Sequence, residues 1–571
     1  MAQQLQRWLK RFWRHHSTDL LILGLFGALS CLYWWPLPWH LRTAQLEWPV
    51  IDPAFAQWII GWGARALTHD PWHFFDANMF YPYHHTLAWG DNMFAITLLA
   101  IPLIPIFGLL ASYNLLLLAT SALSAFTLYL LAREIFHNRQ AAVVAGIIWG
   151  FSYSRYVEYG HIQILALQWL PLAILMAEKL RLRPSKKYWA GLVIFSFLTL
   201  TTNIYVAFMF LASIGLYVLS ALVMRQLDWP ALRRIGLGLL AALILAVPIY
   251  LPSYIVNRRD PTVHPDQFSA RLDQYSPTQP TGQLVRRGLG LPPTPTNVFS
   301  IGLLTLGLAA IGLLYGWRQK RLRPYIVAFA TMATFAFVAS FGPAIMWHSR
   351  VLLAKNPFFY LLFNIIPGYK VLRTPTRWNY IVVLGVAMLA GLGFTVLSQR
   401  LKKGWQLNLA LIMVAGWIFL ENLPAPVFTH PTYNISNYPV YQWLATQPTD
   451  QPILELPNFP VPWRIDTGQM EAKRIFLSTY HWHPRAGGGI EPYIPVDYQS
   501  SEKILSNLGA DPAAMALVRQ WHIKYIIYLP EDFDGPSWNG LTAAVLKARL
   551  DHQAGLREIE RFGNDVVYEV D

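Results

Sequence analysis

Residues 49–93 read PVIDPAFAQWIIGWGARALTHDPWHFFDANMFYPYHHTLAWGDNM. The stretch opens on Ile51-Asp52-Pro53, carries Trp58, Trp62, Trp72 and Trp89, and sits between the apolar runs Leu20–Leu41 and Met93–Ala111. A polar, aromatic-rich segment framed in this way reads as a long loop at a membrane surface, where Trp and Tyr gather. Composition supports that frame. The 571 residues are 54% hydrophobic, 15% aromatic and only 13% charged, against roughly 25% charged in soluble domains. Runs such as Ile235–Tyr254 and Trp378–Leu397 are long enough for the roughly 20 apolar residues that cross a bilayer. A soluble fold has no place for so many uncharged runs, so the chain reads as an α-helical polytopic membrane protein.

The distribution of Lys and Arg sets a threading. Basic clusters fall at Arg7–Arg14, Arg133–Arg139, Lys179–Lys187, Arg225–Arg234, Arg318–Arg323 and Arg400–Lys403. All six are cytoplasmic if the spans are 18–41, 113–132, 140–152, 163–181, 188–204, 205–223, 235–252, 299–316, 325–343, 378–398 and 405–423. That gives about 11 transmembrane helices, the N-terminus cytoplasmic and the C-terminus extracytoplasmic, in a cell (plasma or inner) membrane. The basic flank before Leu20 resembles a signal sequence, but LYWWP at 32–36 offers no small-residue cleavage site, which predicts a retained signal-anchor. The net charge of +14 belongs to span ends and argues against nucleic acid as a partner. The one cysteine, Cys31, lies in an apolar run and excludes an intramolecular disulfide.

Met93–Ala111 is apolar, yet counting it as a span inverts everything after it, and Pro102 and Pro105 break a helix interior. It is expected to complete the first outer loop as a re-entrant element. The predicted organisation is a membrane domain over 1–423, with outer loops 42–112, 253–298 and 344–377, followed by a small soluble α/β domain over 424–571. Strand-like runs in the tail are Ile453–Leu456, Arg474–Tyr480, Lys524–Leu529 and Val566–Val570. Helix-like stretches are Pro439–Ala445 and Pro512–His522.

Three sets of residues are candidates for chemistry. Asp52 is equally a helix cap before Pro53 and a carboxylate at the membrane face; Asp70 is a second cap candidate, and Asp91 is a further acid before the Met93 segment. The short outer loop YSRYVEYGHIQ, 153–163, carries Arg155, Glu158 and His161 at spacings of three, one face of a helical turn. Ionisable groups so near the bilayer are expensive and point to function, although an Arg155–Glu158 pair joining two helix ends explains them too. Arg286, Arg287, Arg373 and Arg377 are outer-loop arginines suited to bidentate phosphate binding, or to snorkelling toward anionic headgroups. Trp58 and Trp62 suit stacking on sugar rings as well as an interfacial belt. His69, His73, His84, His85, His481 and His483 lack metal-ligand spacing, so no metal site is assigned. A divalent ion is possible but not indicated, and no cofactor is.

These features resemble the GT-C glycosyltransferases, and most of all a bacterial subgroup with patterns like DPAFAQW, FDANMFYP, GFSYSRYVEYGHIQILALQWLPL and LRTPTRWNYIVVLGVAMLAGLG, and in the tail WLATQP, ILELP, STYHWHP and KYIIYLP. The resemblance implies a membrane enzyme that moves a sugar from a polyprenyl-phosphate donor to a glycan, lipid or protein acceptor of the cell envelope, with inversion. Asp52 matches the acidic residue of the first loop, which acts as base or acceptor-orienting group, and Glu158 matches, by its position after the third span, the second acidic residue of several GT-C enzymes. Departures are Pro53 where some relatives carry another acid, Tyr153 where proline is expected, and Glu158 where some carry histidine. A lipid-linked-sugar flippase and a non-catalytic envelope scaffold are the alternatives; a flippase needs neither the long first loop nor the tail, and transporters often show internal repeats, of which there is none here.

Overall fold

The computed structural model describes residues 2–46, 51–257, 268–275, 298–401, 403–424, 426, 429–458, 465–488, 494–533 and 541–571. The chain divides into two compact units. One comprises 1–41, 114–247 and 261–427, and the other 42–113, 248–260 and 428–571.

The first unit is helical because its runs have no charge to hold them in water, and only a helix satisfies every backbone group of a lone segment in lipid. Among the described residues, seven helical segments are long and apolar enough to cross a membrane: Leu109–Phe136, Ile162–Leu182, Ile204–Val223, Trp229–Val256, Arg323–Ser340, Pro375–Ser398 and Gly404–Asn422. Shorter apolar helices cover Ser17–Tyr33 and Leu303–Gly316. The expected spans 140–152 and 188–204 are helices too, Arg139–Gly150 of 12 residues and Lys186–Leu200 of 15, below the length a span needs. Seven segments meet the criterion on their own among the described residues, where about 11 spans are expected. Helix ends follow local chemistry: Asn138 accepts from Ala141 N at 3.0 Å and Asn203 from Tyr205 N at 2.7 Å. The latter cap lets two helices turn within three residues of Leu200.

At the centre of this unit lies Asn379–Ser398, buried along nearly its whole length. Gly312 and Gly393 face each other where the Leu303–Gly316 helix crosses it, and a Cβ on either would collide with the opposing backbone. Small residues at such a crossing allow the backbone contact that drives association in lipid.

The second unit is α/β. Its sheet has the order Ile453–Leu456, Tyr525–Tyr528, Asp565–Val570, Leu556–Phe562. The first pair is parallel, Ile453 opposite Tyr525, and the others are antiparallel. The parallel strands ILEL and YIIY are buried at every position, as strands covered on both faces must be. Val440, Tyr441, Leu444, Leu477, Leu529 and Val567 pack around them.

The tail does not form this unit alone; the unit also takes in 42–113 and 248–260. Ala44–Leu46 pairs antiparallel with Thr429–Pro431. Helix Asp52–His69 packs on Ile465–Ser478 through Ile51, Ala54, Ala472 and Phe476. Phe80 N donates to Gly487 O at 2.9 Å and Asn78 Nδ2 to His483 O at 3.2 Å. The first long loop and the tail thus satisfy one another's backbone. Met93–Ala111 holds no crossing helix; it breaks into Phe94–Ala100 and Ile104–Phe107 before the long helix begins at Leu109. Arg474–Tyr480, expected as a strand, lies mostly in the Ile465–Ser478 helix.

Candidate functional site

Three loops meet at one end of the helical unit, the short loop after Gly150, the turn before Ile204 and the segment leading into Asn379–Ser398. The 3-10 turn Pro375–Trp378 places the Arg377 guanidinium 3.5 Å from the Glu158 carboxylate and 4.5 Å from the centroid of the Tyr205 ring. His161 Nδ1 lies 3.1 Å from the same carboxylate. Arg377 and Glu158 retain 11% and 17% side-chain exposure, so the group is screened but open to a ligand. Arg373 is exposed at the same turn, and its backbone N–H donates to the Tyr205 hydroxyl at 3.1 Å.

Electrostatics give Glu158 a definite charge. Burial alone raises a carboxyl pKa, but the Arg377 guanidinium and the His161 ring outweigh it and hold Glu158 at about 2, below its ordinary 4.5. Such an acid is an anion at any physiological pH and a weak proton acceptor. It is suited to fixing a cation in place.

Arg155 does not join this group. The helical turn Tyr153–Val157 ends at Glu158 and the next begins at Ile162, so residues 155, 158 and 161 share no helical face. Arg155 is fully buried and donates to Trp149 O at 3.2 Å, Leu165 O at 2.9 Å and Ser124 Oγ at 2.8 Å. It ties the loop to its flanking helices through these three bonds. Arg286 and Arg287 lie outside the described residues.

In the second unit, Asp52 is the first helical residue, the cap position falls on Ile51, and no side-chain cap bond is made there. A half-buried carboxylate in the first turn sits where the helix dipole favours negative charge. Asp91 lies within electrostatic reach of Tyr250, and its neighbour Asn92 donates to Ile249 O at 3.4 Å. Asp70, at the other end of the Asp52 helix, pairs with His73 at 2.8 Å in an exposed position and makes no cap bond. Trp58 is wholly buried, its indole N–H bonded to Asn78 at 2.9 Å and its ring stacked on Phe55. It has no face for a sugar, and the stacking role expected of it is withdrawn. Trp62, half-buried, donates to Phe74 O and its ring lies against Trp482.

Sequence reading missed Tyr205, whose only signal was an aromatic at a span start beside the tightest turn. It also missed a buried ionic cluster in the tail. Arg485 pairs with Glu455 at 2.5 Å and Glu471 at 3.3 Å, and Arg474 pairs with Asp532 at 2.7 Å and Glu471 at 3.2 Å. Glu502 lies near Glu471; burial, then that like charge, push its pKa well above 4.5, and its Oε2 has no partner among the described residues. The nitrogens of His483 face Gln451 O and Leu444 O at 2.7 and 2.9 Å, which leaves neither for a metal. Among the described residues no three His, Cys, Asp or Glu are grouped to hold one.

No known family profile and no curated protein matches the chain. Solved structures do. The arabinofuranosyltransferase AftD from Mycobacteria superposes with TM-score 0.58 at 12% identity over 97% of this chain and 40% of its own. The Archaeoglobus fulgidus oligosaccharyltransferase gives 0.43 at 14% identity over 91% and 70%. ArnT from Cupriavidus metallidurans gives 0.45 at 13% identity over 95% and 97%. The likeness to AftD is one of fold. The chain spans less than half the length of that transferase.

Proposed function

We propose, on the premise that this chain has the fold of the GT-C glycosyltransferases, that it is a membrane glycosyltransferase. Its donor is a sugar on a polyprenyl phosphate and its acceptor a hydroxyl of an envelope glycan, lipid or protein. The observation that carries this reading is Arg377, a guanidinium held by Glu158 and Tyr205 in a partly open site, with exposed Arg373 four residues before it. An arginine braced in this way is pre-organised for phosphate oxygens.

The transfer is inverting. The acceptor oxygen attacks the anomeric carbon from the face opposite the lipid phosphate and gives its proton to Asp52. The bond from the anomeric carbon to the phosphate oxygen breaks, and its electron pair leaves on the phosphate, stabilised by Arg373 and Arg377. Glu158 stays ionised and orients Arg377. The leaving group is already an anion, so its departure needs no proton. In the orientation set by the basic clusters the reaction runs on the outer face.

The test compares envelope glycans and glycolipids of a deletion strain with those of its parent, then complements with the parent gene and with Asp52→Asn. A glycan or glycolipid shortened by one sugar, restored by the parent and not by the variant, is expected. Identical profiles in deletion and parent refute the transferase reading.

A further inference from the structure

Residues 345–370 present a surface outside the group formed by Arg377, Glu158, His161 and Tyr205. Two antiparallel strands, Ile345–Trp347 and Arg350–Leu353, turn at 348–349, and the helix Pro357–Ile365 follows. One side of the segment is fixed by polar anchors. Buried Asp273 accepts the His348 N–H at 2.7 Å. Buried Asn356 donates to Gly342 O at 2.9 Å and accepts from Phe358 N at 3.2 Å to start the helix. Phe359 and Leu362 pack inward.

The other side is apolar and bare. Leu352 is 59% exposed and Ile365 67%, with Trp347, Val351, Leu353 and Leu361 exposed beside them. Successive strand residues point to opposite faces, so exposure at 351, 352 and 353 together means that, among the described residues, none covers either face of that strand. A hairpin anchored by buried polar bonds, with its apolar residues turned out, is built to meet something apolar. Charge says what. Residues 344–377 contain no Asp or Glu, and Arg350, Lys355 and Lys370 stand exposed around the apolar patch. The segment also joins two helices that belong to membrane spans, Arg323–Ser340 and Asn379–Ser398.

We propose that this hairpin and helix lie in the headgroup layer of an anionic leaflet, their apolar side chains among the acyl chains and their cations on acidic phospholipid. Amphipathic segments with basic rims bind that layer through the same two forces. The element then braces the bundle against the bilayer on the side from which Arg373 and Arg377 are reached along the chain. It does so whether or not the protein transfers sugar.

The test uses the full chain with Cys31→Ser, reconstituted in vesicles of phosphatidylglycerol and phosphatidylcholine, carrying a nitroxide at Leu352→Cys or Leu361→Cys, with Asp450→Cys in the tail as a control. Collision with oxygen should exceed collision with a water-soluble nickel chelate several-fold at both sites and be reversed at the control. Adding Arg350→Glu and Lys355→Glu should shift both labels toward nickel in these vesicles and change little in phosphatidylcholine alone. Labels as open to nickel as the control overturn the proposal. So do labels closed to both reagents with dipolar broadening, which would mean that a second copy covers the face. An unchanged depth after the charge reversals overturns the acidic-lipid part.

Discussion

Arg377→Ala is expected to weaken binding of a polyprenyl phosphate while Glu158→Gln does not. The guanidinium and carboxylate are 3.5 Å apart, which at an effective dielectric constant of about 20 is a Coulomb attraction of about 5 kcal/mol. A phosphate that approaches Arg377 meets a cation already half engaged, and it competes with Glu158 for the same N–H groups. Removing the arginine forfeits the phosphate contact and leaves Glu158 with His161 as its remaining named partner, a loss of about 2–5 kcal/mol for a desolvated charge pair. At the lower end that is about 30-fold in affinity. Removing only the negative charge frees the guanidinium, so phosphate affinity should hold or rise while sugar transfer falls because Arg377 is less well oriented. Arg377→Lys should recover little, since an ammonium cannot pair in two places or lie over Tyr205 as a plane. Binding is read by titrating the reconstituted variants with a short-chain polyprenyl phosphate, each first checked for a monodisperse, folded state. If Glu158→Gln and Arg377→Ala weaken phosphate binding alike, the pair is a structural strut and the phosphate site lies elsewhere.

Three further outcomes are expected. Asp52→Asn keeps shape but loses proton affinity, so transfer should fall about 10²–10⁴-fold with donor binding intact; near-parental transfer, with Asp91→Asn inactive, would move the base to Asp91. Reporter fusions at Asn138 and at the C-terminus should report opposite sides of the membrane, and agreement between them would overturn the threading. Glu502 has a folded pKa raised above its unfolded value near 4.5, so its contribution is full below that pH and is lost as pH rises toward the folded value. Thermal unfolding from pH 4 to 9 should therefore show the parent falling relative to Glu502→Gln as pH increases, and parallel curves would refute a neutral Glu502.

The helical part of the fold was legible because lipid imposes one rule, length without charge; each expected span contains helix, although 18–41, 140–152, 188–204 and 299–316 hold only shorter apolar helices. The broken Met93–Ala111 segment followed from Pro102 and Pro105. Local pattern failed where tertiary partners decide. RIFLSTY at 474–480 has the aromatic and β-branched residues of a strand, but Ile475, Phe476 and Leu477 are buried in a helix that packs on the Asp52–His69 helix. Leu556–Phe562 was missed because its charges, Arg557, Glu558, Glu560 and Arg561, interrupt any alternation; it is an edge strand with most positions exposed or half-exposed. Of the site, the spacing that linked Glu158 to His161 was readable. Its partner Arg377 was identified as a cation but not as its neighbour, since 219 residues separate them. Arg155 misled because three-residue spacing means a shared face only if the helix continues, and here it stops at Glu158.

The pairing of the first loop with the tail has a consequence in time. Asn78 waits for a carbonyl 405 residues further along the chain, and at roughly 5–20 residues per second of synthesis that wait lasts about 20–80 s. Through that interval Gln45, Trp58 and Asn78 belong to a half-built unit, while the helices of the other unit are already being synthesised. A premature stop after the last span would leave all the helices inserted and the loop permanently unfinished. Tail truncations should therefore be lost to proteolysis within 42–113 rather than persist as a trimmed but active protein, and the tail counts as the final step of folding the loop that bears Asp52.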